Sequence, residues 1–181
     1  MAEIALADLL EPVAAELGLV RQELARTLRP EAAELLPLLE HVAGFDGKRL
    51  RPAQVLLAGK ALRGFQEAHI QVAGIVEMIH SATLIHDDIL DEATLRRNLP
   101  ALHTLHGVEA AVLLGDYVYA AAFGASTRLA DQTCSRVLAE TTRVVCQGEL
   151  TQVLGRGRVD LSLEEYRGII AAKTASLYGA A

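Results

Sequence analysis

The sequence contains no tryptophan, and aromatic residues make up 4% of its 181 residues. Its core must therefore be built mainly from aliphatic side chains, and it is 51% hydrophobic and rich in Ala and Leu. Cysteine is also scarce. Cys134 and Cys146 are the only two, and they lie in one predicted helix. Twelve residues at 1.5 Å rise separate them by about 18 Å, far beyond disulfide reach. A disulfide framework is thus excluded, and both are expected as reduced core residues of a cytoplasmic protein. A basic excess is missing: the net charge of -6 argues against a general nucleic-acid binder. No uninterrupted apolar run reaches the ~20 residues of a membrane span, and the nearest, 110–125, carries Asp116 in its middle. The opening Met1-Ala2-Glu3-Ile4 lacks a basic n-region, so no secretory signal is expected. Internal repeats, low-complexity linkers and alternating strand patterns are absent. Long helical periodicities remain, which point to one all-α domain over 1–181 with a real core.

The most informative stretch runs from His80 to Glu92, HSATLIHDDILDE, where an apolar segment ends in Asp87, Asp88, Asp91 and Glu92. Asp87 and Asp91 stand at i and i+4, on one helix face, where like charges repel by roughly 0.2–0.5 kcal/mol. A hard cation relieves that repulsion, and Mg²⁺ suits carboxylates that share it with substrate phosphates. A charged helix end meeting solvent has the same composition. His80 precedes Asp87 by seven residues, on the same face and about 10 Å away along the axis. It is either a core histidine or a donor to a second phosphate. His86 is off that face and reads as structural.

The flanking chain supplies basic chemistry. Residues 3–27 read as helices broken near Pro12, with an apolar stripe from Ile4 to Leu24, followed by a short helix over Glu31 to Ala43. Gly44 to Pro52, GFDGKRLRP, is a basic loop feeding a helix that runs to about Leu62. Such a loop is a solvated turn or a phosphate site, where backbone N–H groups and the helix dipole add to side-chain charge. A long central helix is predicted over Phe65 to Glu92, with Gly74 allowing close packing. A polar loop over 93–107 carries Arg96 and Arg97. These can pair with Asp91 and Glu92, or complement diphosphates. An apolar helix over 107–127 contains Asp116, expected to be hydrogen-bonded or paired and structural in role. A helix N-capped by Asp131 runs to Leu154, a turn covers 155–158, and a capping box at Ser162 and Glu165 opens the last helix.

Taken together these pieces resemble the trans-prenyltransferase family, the all-trans polyprenyl diphosphate synthases. The resemblance is carried by Gly47-Lys48-Arg49-Leu50-Arg51-Pro52, His80 through Asp91, Arg96-Arg97, Leu114-Gly115-Asp116-Tyr117, Gly148-Glu149-Leu150 and Lys173-Thr174-Ala175-Ser176-Leu177. It implies a bundle of long antiparallel helices around a deep cavity, usually in a homodimer. Asp87 and Asp91, with Asp88 assisting, correspond to the first aspartate-rich motif, which binds Mg²⁺ and an allylic diphosphate. Lys48, Arg51, His80 and Arg97 correspond to the isopentenyl diphosphate site. Arg96, Lys173 and Thr174 correspond to contacts with the allylic diphosphate. The implied reaction ionises the allylic C–O bond as diphosphate leaves. The double bond of isopentenyl diphosphate then attacks the cation, and a proton is lost. Ala82 and Thr83, small residues about one turn below the acids, imply a medium or long product, delivered to the membrane.

Two departures stand out. Asn98 replaces the glycine that often follows the arginine pair. The family's second aspartate-rich motif is absent, because Asp160 to Glu165 lacks the D-D-x-x-D spacing. The last helix also stops at Gly179-Ala180-Ala181 without a cap. An N-terminal portion of a synthase, with its last helices missing and inactive alone, is therefore expected; a truncated regulatory or dimerising subunit is the alternative.

Overall fold

The computed structural model describes residues 5–44, 47–62 and 64–181. Ile4, Phe45 and Asp46, all part of the sequence reading, lie outside these. Among the described residues the regular secondary structure is helical apart from one two-residue ladder, and the chain divides into two compact units with the boundary between Arg128 and Leu129.

The first unit contains α1 (Leu6–Leu10), α2 (Ala14–Thr27), α3 (Leu36–Ala43), α4 (Leu50–Ala61), α5 (Glu67–Leu90), β1 (Leu95–Arg96), β2 (Leu99–Pro100), α6 (Leu102–His106) and α7 (Val108–Ser126). The predicted break at Pro12 is a 3₁₀ turn, Glu11–Val13, between α1 and α2. Helix α5 is its axis. It packs on α7 along most of its length, and on α4 and α2. Ala73, Ile75, Val76, Met78, Ile79, Ala82 and Ile85 are buried along it, among Val13, Val20, Leu56, Leu102 and Val118. Burial of each such aliphatic side chain contributes roughly 1.5–3 kcal/mol, so the aliphatic composition suffices for a core without tryptophan.

By length and composition α5 and α7 are both long and apolar enough to cross a membrane. In this fold the apolar side of α5 is covered by α2, α4 and α7.

Several local expectations change. The predicted loop over 93–107 contains the β1–β2 hairpin and α6. Gly74 is not a site of close approach: a Cβ there would meet Glu23 at 3.5 Å, an ordinary contact. One tight position is Gly115 of α7, where a Cβ would fall on the His86 ring. Asp116 is not buried in its apolar helix. Its side chain is 64% exposed, with His86 Nε2 at 3.5 Å. His86 thus serves the α5–α7 contact, with its Nε2 also 3.2 Å from the Val112 carbonyl.

A cavity of about 680 Å³ lies in the first unit, walled by Leu24 of α2, Leu28 just after it, Leu39 of α3, and Glu77, Met78 and Ser81 of α5. It opens on a different face of α5 from Thr83, since two residues turn a helix by about 200°.

The second unit contains α8 (Gln132–Leu154), α9 (Leu163–Ile170), a π-helical turn (Ala171–Ala175) and α10 (Ser176–Ala180). The Asp131 cap accepts a hydrogen bond from the Thr133 amide at 2.8 Å. The Ser162–Glu165 capping box forms in both directions. Arg158 Nη1 donates to Glu165 at 3.0 Å, tying the preceding turn to the box. The two thiols are free, as expected, but neither is in the core: Cys134 is half-buried and Cys146 exposed.

Candidate active site

The predicted acidic site residues of the first unit stand at the C-terminal end of α5. Asp87 is half-buried, Asp88 is buried, and Asp91 is exposed at the C-cap. Chain reversal follows at once. Glu92 takes φ 51°, and β1 pairs antiparallel with β2 in the register Leu95↔Pro100 and Arg96↔Leu99. Only Arg97 and Asn98 join the strands, with φ of 52° and 68°. Two successive positive φ values are the signature of a type I′ hairpin turn, which matches the strand twist and prefers Asn or Gly. Asn98 is therefore a fitting residue here, and its departure from glycine leaves the hairpin intact.

This turn separates the adjacent arginines. Arg96 reaches back to α5, where its Nε donates to Asp88 Oδ1 at 2.8 Å and its Nη2 donates to the same oxygen. Asp88 is 2% exposed and Arg96 27%. The pairing is with Asp88, where the sequence suggested Asp91 or Glu92. The hydrogen bond to Asp88 holds the Arg96 guanidinium above its ordinary pKa, and the charges of Asp87 and Asp91 add to this. The second oxygen of Asp88 is buried and has no hydrogen-bond partner among the described residues. Arg97 instead lies against Gly47, where a Cβ would fall on its guanidinium. The hairpin tip is thereby brought to the basic segment that continues with Lys48, Arg49 and Arg51.

Arg49 is the N-cap of α4 and adopts the left-handed conformation, φ 48° and ψ 40°. Non-glycine residues held there carry of order 1 kcal/mol or more of strain. Its side chain lines the cavity between α2, α3 and α5. Lys48 is exposed and Arg51 half-buried.

His80 reports the charge of this region. Burial, then the charges of Arg51, Arg97 and Arg96, push its imidazole down to about 3. It is therefore neutral near pH 7, able to donate one N–H and accept at the other nitrogen. Ala82, five residues before Asp87, is fully buried. Thr83 is half-buried and donates its hydroxyl to the His80 carbonyl at 2.7 Å.

The sequence reading places a divalent metal on Asp87 and Asp91. Among the described residues no group of three or more His, Cys, Asp or Glu side chains is arranged around a metal position. A two-carboxylate site fits Mg²⁺, which is usually held by one or two carboxylates with water and substrate phosphates.

Lys173 and Thr174 belong to the second unit, inside the π-helical turn. Thr174 is exposed. Lys173 Nζ donates to Glu149 Oε2 of α8 at 2.9 Å, and Oε1 is also 2.9 Å away. Sequence reasoning placed Gly47 and Glu149 in motifs without roles. Their partners, Arg97 and Lys173, are 50 and 24 residues away in sequence.

Comparison with known proteins identifies the family. The family model described as "Polyprenyl synthetase" matches residues 32–181. An octaprenyl diphosphate synthase from Escherichia coli is 36% identical over 141 residues, 78% of this chain and 44% of the relative. A prenyl transferase from Synechocystis is 38% identical over 177 residues, 96% of this chain and 55% of the relative. The chain thus spans about half the length of the curated relatives it matches. A crystal structure of polyprenyl synthase from Caulobacter crescentus, complexed with calcium and isoprenyl diphosphate, superposes with a TM-score of 0.94 at 32% identity. That match covers 99% of this chain and 55% of the other. By the family model over residues 32–181, and by relatives more than 30% identical over most of its length, the chain belongs to the polyprenyl synthetase family.

Proposed function

We propose that this protein is a trans-prenyltransferase, condensing isopentenyl diphosphate with an allylic diphosphate into a medium or long all-trans polyprenyl diphosphate. The observation that carries the reading is the pairing of Arg96 with buried Asp88 at the acidic end of α5, with Arg97 of the same hairpin lying against Gly47 of the basic segment. Cations next to carboxylates, on a helix end and a tight hairpin, suit two diphosphates and a divalent metal.

In this reading Lys48, Arg51, Arg97 and neutral His80 bind the diphosphate of isopentenyl diphosphate. Lys48 contributes a mobile charge, the arginines planar donors, and His80 one N–H. Arg96, Lys173 and Thr174 serve the allylic diphosphate. Arg96 is preset by Asp88, so little side-chain freedom is lost when it meets an anion. Asp87 and Asp91 would hold Mg²⁺, whose charge stabilises the departing diphosphate. The residues of this chain position the two substrates, neutralise charge and keep the reacting carbons away from water. Ala82 and Thr83 lie beside the path of the growing chain. The reading carries with it a homodimer, a cytoplasmic location and a product handed to the membrane.

The test is incorporation of radiolabelled isopentenyl diphosphate into an allylic primer with Mg²⁺, by the protein expressed from its complete reading frame. Activity that vanishes in Asp87→Ala supports the reading. Activity unchanged by that substitution overturns the site assignment. A protein that is inactive yet stimulates a complete synthase is a regulatory subunit instead.

A further inference from the structure

Three local irregularities of the second unit converge on one side chain. The helix after Ile170 widens into a π turn over Ala171–Ala175, where the Ser176 amide bonds to the Ala171 carbonyl. Single π turns break the regular ladder and occur frequently at functional sites. The Ser176 hydroxyl donates to the Ala172 carbonyl at 2.5 Å, serving an acceptor next to the break. Gly148 of α8 faces the turn. A Cβ on it would lie 2.8 Å from the Lys173 amide nitrogen and 2.9 Å from the Ala172 Cβ. Only glycine lets the two backbones approach this closely. The next residue of α8, Glu149, takes Lys173 Nζ at 2.9 Å.

An ordinary interhelical ion pair needs none of this. Here the turn, the glycine and the hydroxyl set the backbone of Lys173, and the carboxylate sets its tip. The pair is partly screened: Lys173 is 22% exposed and Glu149 16%. The ammonium has three donors, and its residual exposure leaves it reachable by an anion.

We infer that Glu149 is a positioning residue, which holds the Lys173 ammonium in a fixed place for a diphosphate while Gly148 and Ser176 shape the turn that presents it. The inference rests on the proposed reading of Lys173 as a diphosphate ligand. Glu149 touches no substrate in this account and acts only through Lys173.

The experiment is a double-mutant cycle on the purified protein, titrating inorganic pyrophosphate calorimetrically in excess Mg²⁺. Lys173→Ala is expected to weaken binding about tenfold, the loss of one charged hydrogen bond. Glu149→Gln, nearly isosteric, is expected to weaken it about threefold or more. Combined with Lys173→Ala it should have no further effect, because both changes act through one side chain. Glu149→Asp should recover most of the lost affinity, which a mere loss of packing would not predict. If Lys173→Ala weakens binding and Glu149→Gln does not, or if the two effects add, the positioning role is overturned while the reading of Lys173 stands. If Lys173→Ala leaves pyrophosphate affinity unchanged, or the protein binds none, the reading of Lys173 falls and the positioning role with it.

Discussion

Arg96 donates two hydrogen bonds to a single oxygen of Asp88, and the other oxygen of that carboxylate is buried without a hydrogen-bond partner among the described residues. The pair is asymmetric, with Asp88 at 2% exposure and Arg96 at 27%. Removing the arginine strands a buried charge, whereas removing the carboxylate leaves a guanidinium that water can reach. Arg96→Met is therefore predicted to destabilise by about 3–5 kcal/mol and Asp88→Asn by only about 1–2 kcal/mol. Urea denaturation of the two variants measures this, and the reverse order would show that the pair is solvated.

The hairpin turn makes a separate prediction. Asn98, at φ 68°, occupies a backbone region open to Asn and Gly and strained for β-branched residues. Asn98→Gly should change stability by less than about 0.5 kcal/mol, and Asn98→Val should lower it by more than about 1 kcal/mol. Thermal melts of both would reveal a different turn if valine were tolerated.

At Gly47 stability and binding should separate. A methyl group there would displace the Arg97 guanidinium. Gly47→Ala is expected to keep the folding free energy within about 0.5 kcal/mol while weakening pyrophosphate binding several-fold. Wild-type affinity in this variant would mean that the seat of Arg97 on Gly47 is incidental.

His80 predicts an acid-side loss of stability. Its imidazole sits at about 3 in the fold, against an ordinary value of 6.5. Between these values the unfolded chain binds a proton that the folded chain does not. Stability then falls as pH drops below 6.5 towards 3, by at most about 1.4 kcal/mol per pH unit. His80→Gln should flatten that part of the profile, read from urea midpoints at several pH values. An unchanged slope would indicate that His80 protonates normally in the fold.

The two residues read as chain-length determinants should behave differently. Ala82 has no exposed surface, so Ala82→Phe overpacks the core and is predicted to destabilise by about 1–3 kcal/mol or more. Thr83 is half-buried, and Thr83→Phe is predicted to shorten the prenyl product in a folded enzyme. Chromatographic sizing of products tests this, and an unchanged length in an active Thr83→Phe enzyme would remove Thr83 from the role.

Much of this protein is written locally. The helices, the break at Pro12, the Asp131 cap and the Ser162–Glu165 box depend on residues within a few positions of one another, so periodicity and capping chemistry reveal them. The shared face of His80, Asp87 and Asp91 follows in the same way from helical spacing. Tertiary structure alone decided which charges meet. Arg96 and Arg97 are identical neighbours in sequence, yet a two-residue I′ turn sends one to Asp88 and the other to Gly47. Lys173 found Glu149 because α8 and a π turn approach over a glycine. The aspartate-ended helix was legible because its repulsion is local. Which acid Arg96 would take was not, since that depends on where the backbone returns after the turn.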